Sequence, residues 1–128
     1  MERMMEERAT RILCIDDDPD ILEILKLILE AHGYEVFQAS CAEEGLKVFL
    51  AERPDLVFVD LMMEEIDSGT NFVKEVKMLG AKVPIYLLSS MGDTLHQSID
   101  HVSLGLTGVL QKPVNPEALL KLVRSKLG

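Results

Sequence analysis

The chain has 128 residues, of which 48% are hydrophobic and 27% charged, and this composition predicts one globular domain with its own core. Its formal net charge of −9 argues against a nucleic acid as a direct partner, because phosphate binding requires clustered Lys and Arg. The two cysteines form no disulfide framework or metal pattern, and without a signal peptide or membrane-length apolar run we expect a cytoplasmic protein that binds no membrane.

Five short apolar runs mark the predicted strands. Residues 1–10 form a polar N-terminal extension, and we expect one domain over residues 11–128. In chain order the runs cover 12–15, 34–39, 56–59, 83–88 and 107–111, of which the second and fifth are weaker. The other three are apolar at nearly every position, which is typical of parallel strands covered by helices on both faces.

Segments of helical periodicity separate these strands. The first helix is predicted to begin at Pro19, behind Asp18, and to end at Gly33. Ser40 and Glu43 have capping-box spacing ahead of the second helix. The other three helices are marked by Phe72, Val73, Val76 and Leu79 before Gly80, by Leu95, Ile99 and Val102, and by Leu119, Leu120, Val123 and Leu127 behind Asn115 and Pro116. Five strand–helix alternations predict an α/β fold, a doubly wound five-stranded parallel sheet with right-handed crossovers.

Four of the predicted strands are followed at once by polar residues. Asp16–Asp18 follow the first strand, Asp60 ends the third, Ser89 follows the fourth and Lys112 the fifth. Ligands of open α/β sheets bind just beyond the carboxyl ends of the strands. We therefore expect carboxylates, a hydroxyl and an ammonium to converge at one edge.

The predicted cluster has the composition of a phosphoryl-transfer site. Crowded carboxylates repel each other unless a cation offsets the repulsion, and Mg²⁺ prefers carboxylate oxygens, waters and phosphate. Lys112 can grip a phosphoryl oxygen, and Asp60 can act as the nucleophile because carboxylates form aspartyl phosphates. Metal and lysine together would supply the positioning and charge neutralisation that in-line transfer needs.

Each of these residues also has a structural explanation when taken alone. The acidic triplet Asp16–Asp18 can cap the following helix, and Asp60 can be a turn residue. Ser89 can be structural, and Lys112 can be an ordinary surface lysine. Their joint placement at one sheet edge favours a shared site.

Four segments carry a resemblance to a known family. They are RILCIDDDP at 11–19, PDLVFVDLMM at 54–63, PIYLLSS at 84–90 and GVLQKP at 108–113. Together they resemble the successive signatures of response-regulator receiver domains, over about residues 11–127. The resemblance implies a flavodoxin-like sheet of order 2-1-3-4-5 with five helices, Mg²⁺ as cofactor, and a sensor histidine kinase or phosphotransfer protein as phosphoryl donor.

The resemblance also assigns a metal shell, residue by residue. Asp60 matches the phosphorylated aspartate, which also contacts the metal. Asp16 and Asp17 match the acidic pair, with Asp17 the better candidate for direct metal contact. Met62 matches the position whose backbone carbonyl completes the shell.

Two further matches concern signalling. Ser89 matches the switch hydroxyl that hydrogen-bonds the phosphoryl group, and Lys112 matches the lysine that pairs with it. The implied protein is a signalling receiver and not an enzyme, since it catalyses only its own phosphoryl transfer and autodephosphorylation. Its expected partners are the donor and either a downstream protein or a missing output domain, and a weak homodimer is compatible with the family.

The chain departs from the family pattern at several positions. Glu64 stands where proline is common and Gly69 follows one residue late, so we expect an altered loop with intact metal binding. Val109 replaces the usual Tyr or Phe, which predicts a muted or rewired readout. Met62 and Met91 cannot orient a hydrolytic water by hydrogen bonding, which predicts a long-lived aspartyl phosphate.

Other functions fit less well. A phosphohydrolase of the haloacid-dehalogenase type would need an acid two residues after its nucleophile, where this chain has Met62. A pseudo-receiver would commonly lack the acceptor or the acidic pair, whereas this chain has both. The sequence is compatible with a stand-alone receiver and with a piece of a longer regulator.

Overall fold

The computed structural model describes residues 9–60, 68–80, 82–90 and 106–127. In chain order, the elements in these ranges are β1 Arg11–Ile15, α1 Pro19–Glu30, β2 Glu35–Ala39, α2 Ala42–Glu52, β3 Leu56–Asp60, α3 Ser68–Met78, β4 Ile85–Ser90, β5 Gly108–Lys112 and α4 Pro116–Leu127. None of the helices in this part of the chain has the length and apolar character needed to cross a bilayer. The helix predicted from Leu95, Ile99 and Val102 lies outside the described residues.

The five strands form one parallel sheet in the order β2-β1-β3-β4-β5, which confirms the predicted topology. At the carboxyl end of the sheet, Ile15 of β1 pairs with Val59 of β3, and Asp60 pairs with Leu88 of β4. Ser90 of β4 pairs in turn with Lys112 of β5. This register brings the ends of four strands to the same edge.

Successive side chains of the strands point to opposite faces of the sheet and divide the core into two layers. One layer joins the sheet to α2 and α3, and its members include Leu13, Ile15, Val57, Val59, Phe49, Phe72 and Val76. The other joins the sheet to α1 and α4, and its members include Ile12, Cys14, Phe58, Leu88, Leu25, Leu29, Leu119 and Val123. Because both faces are covered, the central strands are apolar at nearly every position.

The start of α1 and the start of α4 follow the sequence signals. The Asp18 carboxylate accepts a hydrogen bond of 2.9 Å from the backbone N–H of Asp20 and so caps α1. The helix ends at Glu30, three residues before the predicted end at Gly33, which has a φ of 90°, a conformation that costs glycine little. Asn115 Oδ1 accepts from the backbone N–H of Ala118 at 3.0 Å and caps α4.

The predicted capping box of α2 is wrong by one residue. The N-cap is Cys41, which is extended and makes no side-chain capping bond, and the helix begins at Ala42. Glu44, not Glu43, reaches back, accepting from the Ser40 backbone N–H at 2.8 Å and from its hydroxyl at 3.3 Å. The extended Cys41 adds one residue between Ser40 and the helix and shifts the glutamate that can return.

Candidate functional site

Three carboxylates meet at the carboxyl edge of the sheet. Asp16 follows β1 and is fully buried, Asp17 is exposed, and Asp60 is the last residue of β3, with only 6% of its surface exposed. One oxygen from each side chain lies within 4.8 Å of the other two. The structure therefore brings together the three acidic residues that the sequence placed at this edge.

The three residues of the acidic triplet Asp16–Asp18 have different roles, because their side chains make different contacts. The Asp16 backbone N–H donates to the carbonyl of Ala39 at 3.1 Å, which ties the end of β1 to β2. Asp16 Oδ1 accepts from the backbone N–H of Asp18 at 2.9 Å, which turns the chain toward α1. Asp18 caps the helix, while Asp16 and Asp17 stay with the acidic cluster. The capping explanation and the site explanation are thus both correct, for different members.

Lys112 neutralises two of the carboxylates. Its Nζ lies 2.8 Å from Asp16 Oδ2 and 3.2 Å from Asp60 Oδ2, and the side chain is 15% exposed. The contact with Asp60 is a hydrogen bond, whereas within the described ranges the buried Asp16 Oδ2 makes no hydrogen bond and meets the ammonium as an ion pair.

This bridge crosses most of the sheet. Three strand spacings, about 14 Å, separate β5 from β1. Lys112 and Asp16 therefore meet only because both side chains extend over the end of β3, where Asp60 lies. The sequence predicted Lys112 as a partner of a phosphoryl group and missed its direct contact with Asp16. The strand order 2-1-3-4-5 that the resemblance implied was the signal from which this contact could have been inferred.

Burial and ion pairing oppose each other in this cluster. Burial raises the pKa of the Asp16 carboxyl, and the neighbouring ammonium of Lys112 offsets part of that rise. Burial alone would lower the pKa of Lys112, but Asp16 and Asp60 more than compensate, so its pKa is raised. Lys112 is therefore protonated throughout the neutral pH range. In this pair it is the ionised form of Asp16 that burial destabilises.

The donor set fits a hard divalent cation. Such ions take carboxylate oxygens and retain waters, and here two buried carboxylates lie beside the exposed Asp17. The buried Asp16 Oδ2, without a hydrogen bond in the described part of the chain, is an oxygen that a cation would satisfy. Asp16, Asp17 and Asp60 are thus the residues able to hold a metal. Met62, predicted to add its carbonyl, lies outside the described residues.

Ser89 lies within β4 rather than beyond it. The strand was predicted to end at Leu88 but continues to Ser90, and Ser89 pairs with Gln111 of β5. Leu88 is the partner of Asp60 and Ser90 the partner of Lys112, so Ser89 lies between two positions of the site. Its side chain is buried, as befits a hydroxyl held in place by the strand.

Val109 is half-buried in β5. It pairs with Leu87 and packs against the core layer that faces α2 and α3. The departures at Glu64 and Met91 lie outside the described residues. Gly69 lies in the first turn of α3.

Comparison with known proteins gives a consistent result. A family model described as response regulator receiver domain matches residues 12–124. The transcriptional regulatory protein GlrR of Escherichia coli (strain K12) is 32% identical over 123 residues, covering 96% of this chain and 27% of GlrR. Across the curated relatives GlrR and ycf27 of Cyanophora paradoxa, the chain spans 27% and 50% of the protein's length.

Solved structures agree with the sequence relatives. The chemotaxis protein CheY4 of Vibrio cholerae superposes with a TM-score of 0.83 at 30% identity, covering 93% of this chain and 99% of that one. A CheY-like receiver domain protein from Methanospirillum hungatei JF-1 gives a TM-score of 0.79 at 31% identity, covering 94% of both chains.

Proposed function

This chain belongs to the response regulator receiver domains of two-component signalling, and from that premise we propose that it accepts a phosphoryl group on Asp60. The observation that carries the proposal is the position of the Asp60 carboxylate. It lies at the sheet edge with Asp16 and Asp17 within 4.8 Å and the Lys112 ammonium 3.2 Å away. A nucleophile, a candidate metal shell and a cation thus share one small volume.

The proposed reaction is an in-line transfer from a phosphohistidine. An Asp60 carboxylate oxygen attacks phosphorus, the phosphorus–nitrogen bond breaks, and the imidazole leaves with the electron pair. Lys112 attracts a phosphoryl oxygen as a fixed positive charge, and the Ser89 hydroxyl donates a hydrogen bond to another. The donor is a sensor histidine kinase or a phosphotransfer protein.

Asp16 and Asp17, together with Asp60, would hold Mg²⁺, with the Met62 carbonyl as a further ligand. The bound ion supplies neutralisation of the charge that collects on the phosphoryl oxygens. Asp16 is already fixed by its bond from the Asp18 backbone, so one metal ligand is positioned before any ion binds. The exposed Asp17 gives the ion access to solvent and to its retained waters.

Phosphorylation would compete for Lys112. In the unphosphorylated chain the Lys112 ammonium contacts both Asp16 and Asp60, and a phosphoryl group on Asp60 would offer it stronger acceptor oxygens. A phosphoryl group would draw Lys112 and Ser89 toward it, and this change, which the absence of a ring at Val109 keeps small along β5, biases the surface that a downstream protein or a separate output domain binds. The domain acts as a switch and turns over no substrate beyond its own phosphoryl group.

The test is labelling with a small acyl phosphate and Mg²⁺, followed by intact mass. The chain should gain one phosphoryl group, and Asp60→Asn should gain none. Asp20→Asn is the matched control, since Asp20 is exposed in the first turn of α1 and should leave labelling unchanged. Labelling of the Asp60→Asn chain, or none of the wild type, would refute the assignment.

A further inference from the structure

A groove of about 390 Å³ lies at the sheet edge opposite to the acidic site, where α2 and α3 end and β3 and β4 begin. It is lined by Phe49, Leu50, Arg53, Pro54, Leu79 and Val83. Five of these six side chains are apolar. The proposed phosphoryl chemistry uses none of them.

The groove is bordered by unusually exposed apolar side chains. Leu50 is 54% exposed, Leu79 57% and Met78 81%. Among the described residues, the remaining large hydrophobic side chains with comparable exposure are Ile24 and Leu27, which lie on α1. A cluster of exposed apolar side chains beside a groove is typical of a surface that something covers.

The chain segments that carry this apolar surface are rich in basic residues, although the chain as a whole has a net charge of −9. The segments 47–54 and 74–83, which form the groove, contain five basic residues and two acidic ones. The basic residues are Lys47, Arg53, Lys74, Lys77 and Lys82, and the acidic ones are Glu52 and Glu75. A segment that fits would present apolar side chains to the groove and acidic ones to its border.

We propose that the chain's own N-terminal residues 1–8 occupy this groove. Their sequence, MERMMEER, combines three methionines with three glutamates and two arginines. Methionine adapts its shape to irregular apolar surfaces, so Met4 and Met5 suit the contact with Leu50 and Leu79. The glutamates of the segment can pair with the basic residues of segments 47–54 and 74–83, of which Arg53 lines the groove.

The chain enters the fold beside the groove. The Arg11 guanidinium donates to the carbonyl of Glu52 at 2.8 Å, and the Arg11 backbone N–H donates to Asp55 Oδ2 at 2.9 Å. Arg53 and Pro54, which line the groove, lie between these two contacts in the sequence. The six residues that precede Arg11 span up to about 20 Å when extended, whereas adjacent strands are about 4.8 Å apart. Residues 1–8 therefore reach the groove easily.

Attachment favours this occupant over a second copy of the chain. A segment joined to its site by a few residues has an effective concentration of about a millimolar. A second copy at micromolar concentration competes poorly against that.

The test places a nitroxide spin label on Arg3→Cys in a Cys41→Ser background. Cys14 is fully buried and will not take the label. The amide signals of Leu50 and Leu79 should lose most of their intensity, and reduction of the label should restore them. Amides of Asp20 and Glu117, at the start of α1 and of α4 near the opposite edge, should keep theirs.

A groove variant and a mixing experiment separate the outcomes. Leu79→Asp should release the segment and restore the Leu50 signal, whereas Leu27→Asp, which alters an equally exposed leucine on α1, should change nothing. Signal loss in a mixture of labelled chains with separate isotope-enriched chains would assign the groove to a second copy. That result, or no loss in the spin-labelled chain itself, would overturn the proposal.

Discussion

Asp16 is the residue at which stability and function conflict. Its carboxyl is fully buried, and burial raises its pKa above the ordinary value of 3.8. The folded chain therefore holds this proton to a higher pH than the unfolded chain does. The stability that this provides is present below the ordinary pKa of an aspartate, and it is lost as the pH rises through the raised value.

We therefore expect Asp16→Asn to raise the free energy of unfolding at pH 7 in a chelator, by on the order of 1 kcal/mol. Asparagine can still accept from the Asp18 backbone but carries no charge to desolvate. The gain should shrink as the pH falls toward 4. Urea unfolding measures it, with the exposed Asp17→Asn as control. An unfolding free energy that falls in Asp16→Asn would mean that the ion pair with Lys112 outweighs burial.

At the scale of single elements, α2 approaches β1 closely at Gly45. A Cβ built on Gly45 would lie 2.5 Å from Ile15 Cδ1 and 3.0 Å from Ile15 Cγ1. Ile15 is the last residue of β1 and precedes Asp16. The close approach of α2 to Ile15 therefore fixes the end of the strand next to the buried carboxylate. A Cβ here would force the end of the Ile15 side chain to move, so glycine provides space at this position rather than an unusual backbone angle.

Gly45→Ala should lower the free energy of unfolding by about 1 kcal/mol, since overpacking outweighs the gain in helix propensity. In an Ile15→Val background, which removes Cδ1, the same substitution should become neutral or stabilising. A double-mutant cycle in urea measures the coupling. Equal effects of Gly45→Ala in both backgrounds would show that Ile15 is not the obstacle.

The strand β5 carries the departure at Val109. The side chain is half-buried against the core layer of α2 and α3, and it has no ring to move when Ser89 is drawn toward a phosphoryl group. Amide shifts of β5 should therefore change little on addition of a phosphoryl mimic such as beryllofluoride, and more in Val109→Tyr. Large shifts throughout β5 in the unaltered chain would contradict a muted readout.

Strands were easier to predict than helix ends, for a physical reason. Continuous apolar runs report burial on both faces directly, as for β1, β3 and β4, and together with two weaker runs they located all five strands to within two residues. Helix ends depend on local hydrogen bonds that compete over one residue, as the shift from Glu43 to Glu44 shows. The left-handed Arg53 after α2, with a φ of 50°, has no sequence signal, since glycine is the usual residue there.

For the candidate site, too, the sequence predicted positions better than side-chain contacts. The sequence predicted that Asp16, Asp17, Asp60, Ser89 and Lys112 lie at one edge, because strand ends fix position without detailed packing. It did not predict which carboxylate would be buried or which would pair with the lysine. Those properties depend on side-chain directions across several strands.

For the whole molecule, Mg²⁺ should act as a stabilising ligand. At ten times its Kd a single bound ion adds about 1.4 kcal/mol to the free energy of unfolding, if it binds the folded chain alone. Asp17→Ala should abolish this gain. Thermal or urea unfolding in MgCl₂ measures it, and NaCl of matched ionic strength corrects for screening of the net charge of −9. An equal gain in both salts would contradict specific binding.

The bridge from Lys112 to Asp16 also sets an order of events when the chain is made on a ribosome. The carboxylates of Asp16 and Asp60 emerge early, whereas the ammonium that neutralises them belongs to the last strand. A nascent chain that lacks β5 would have to bury the Asp16 carboxylate without the positive charge of Lys112 beside it. Closure of the sheet before β5 is available is therefore disfavoured, and the addition of Lys112 completes the electrostatic balance of the fold.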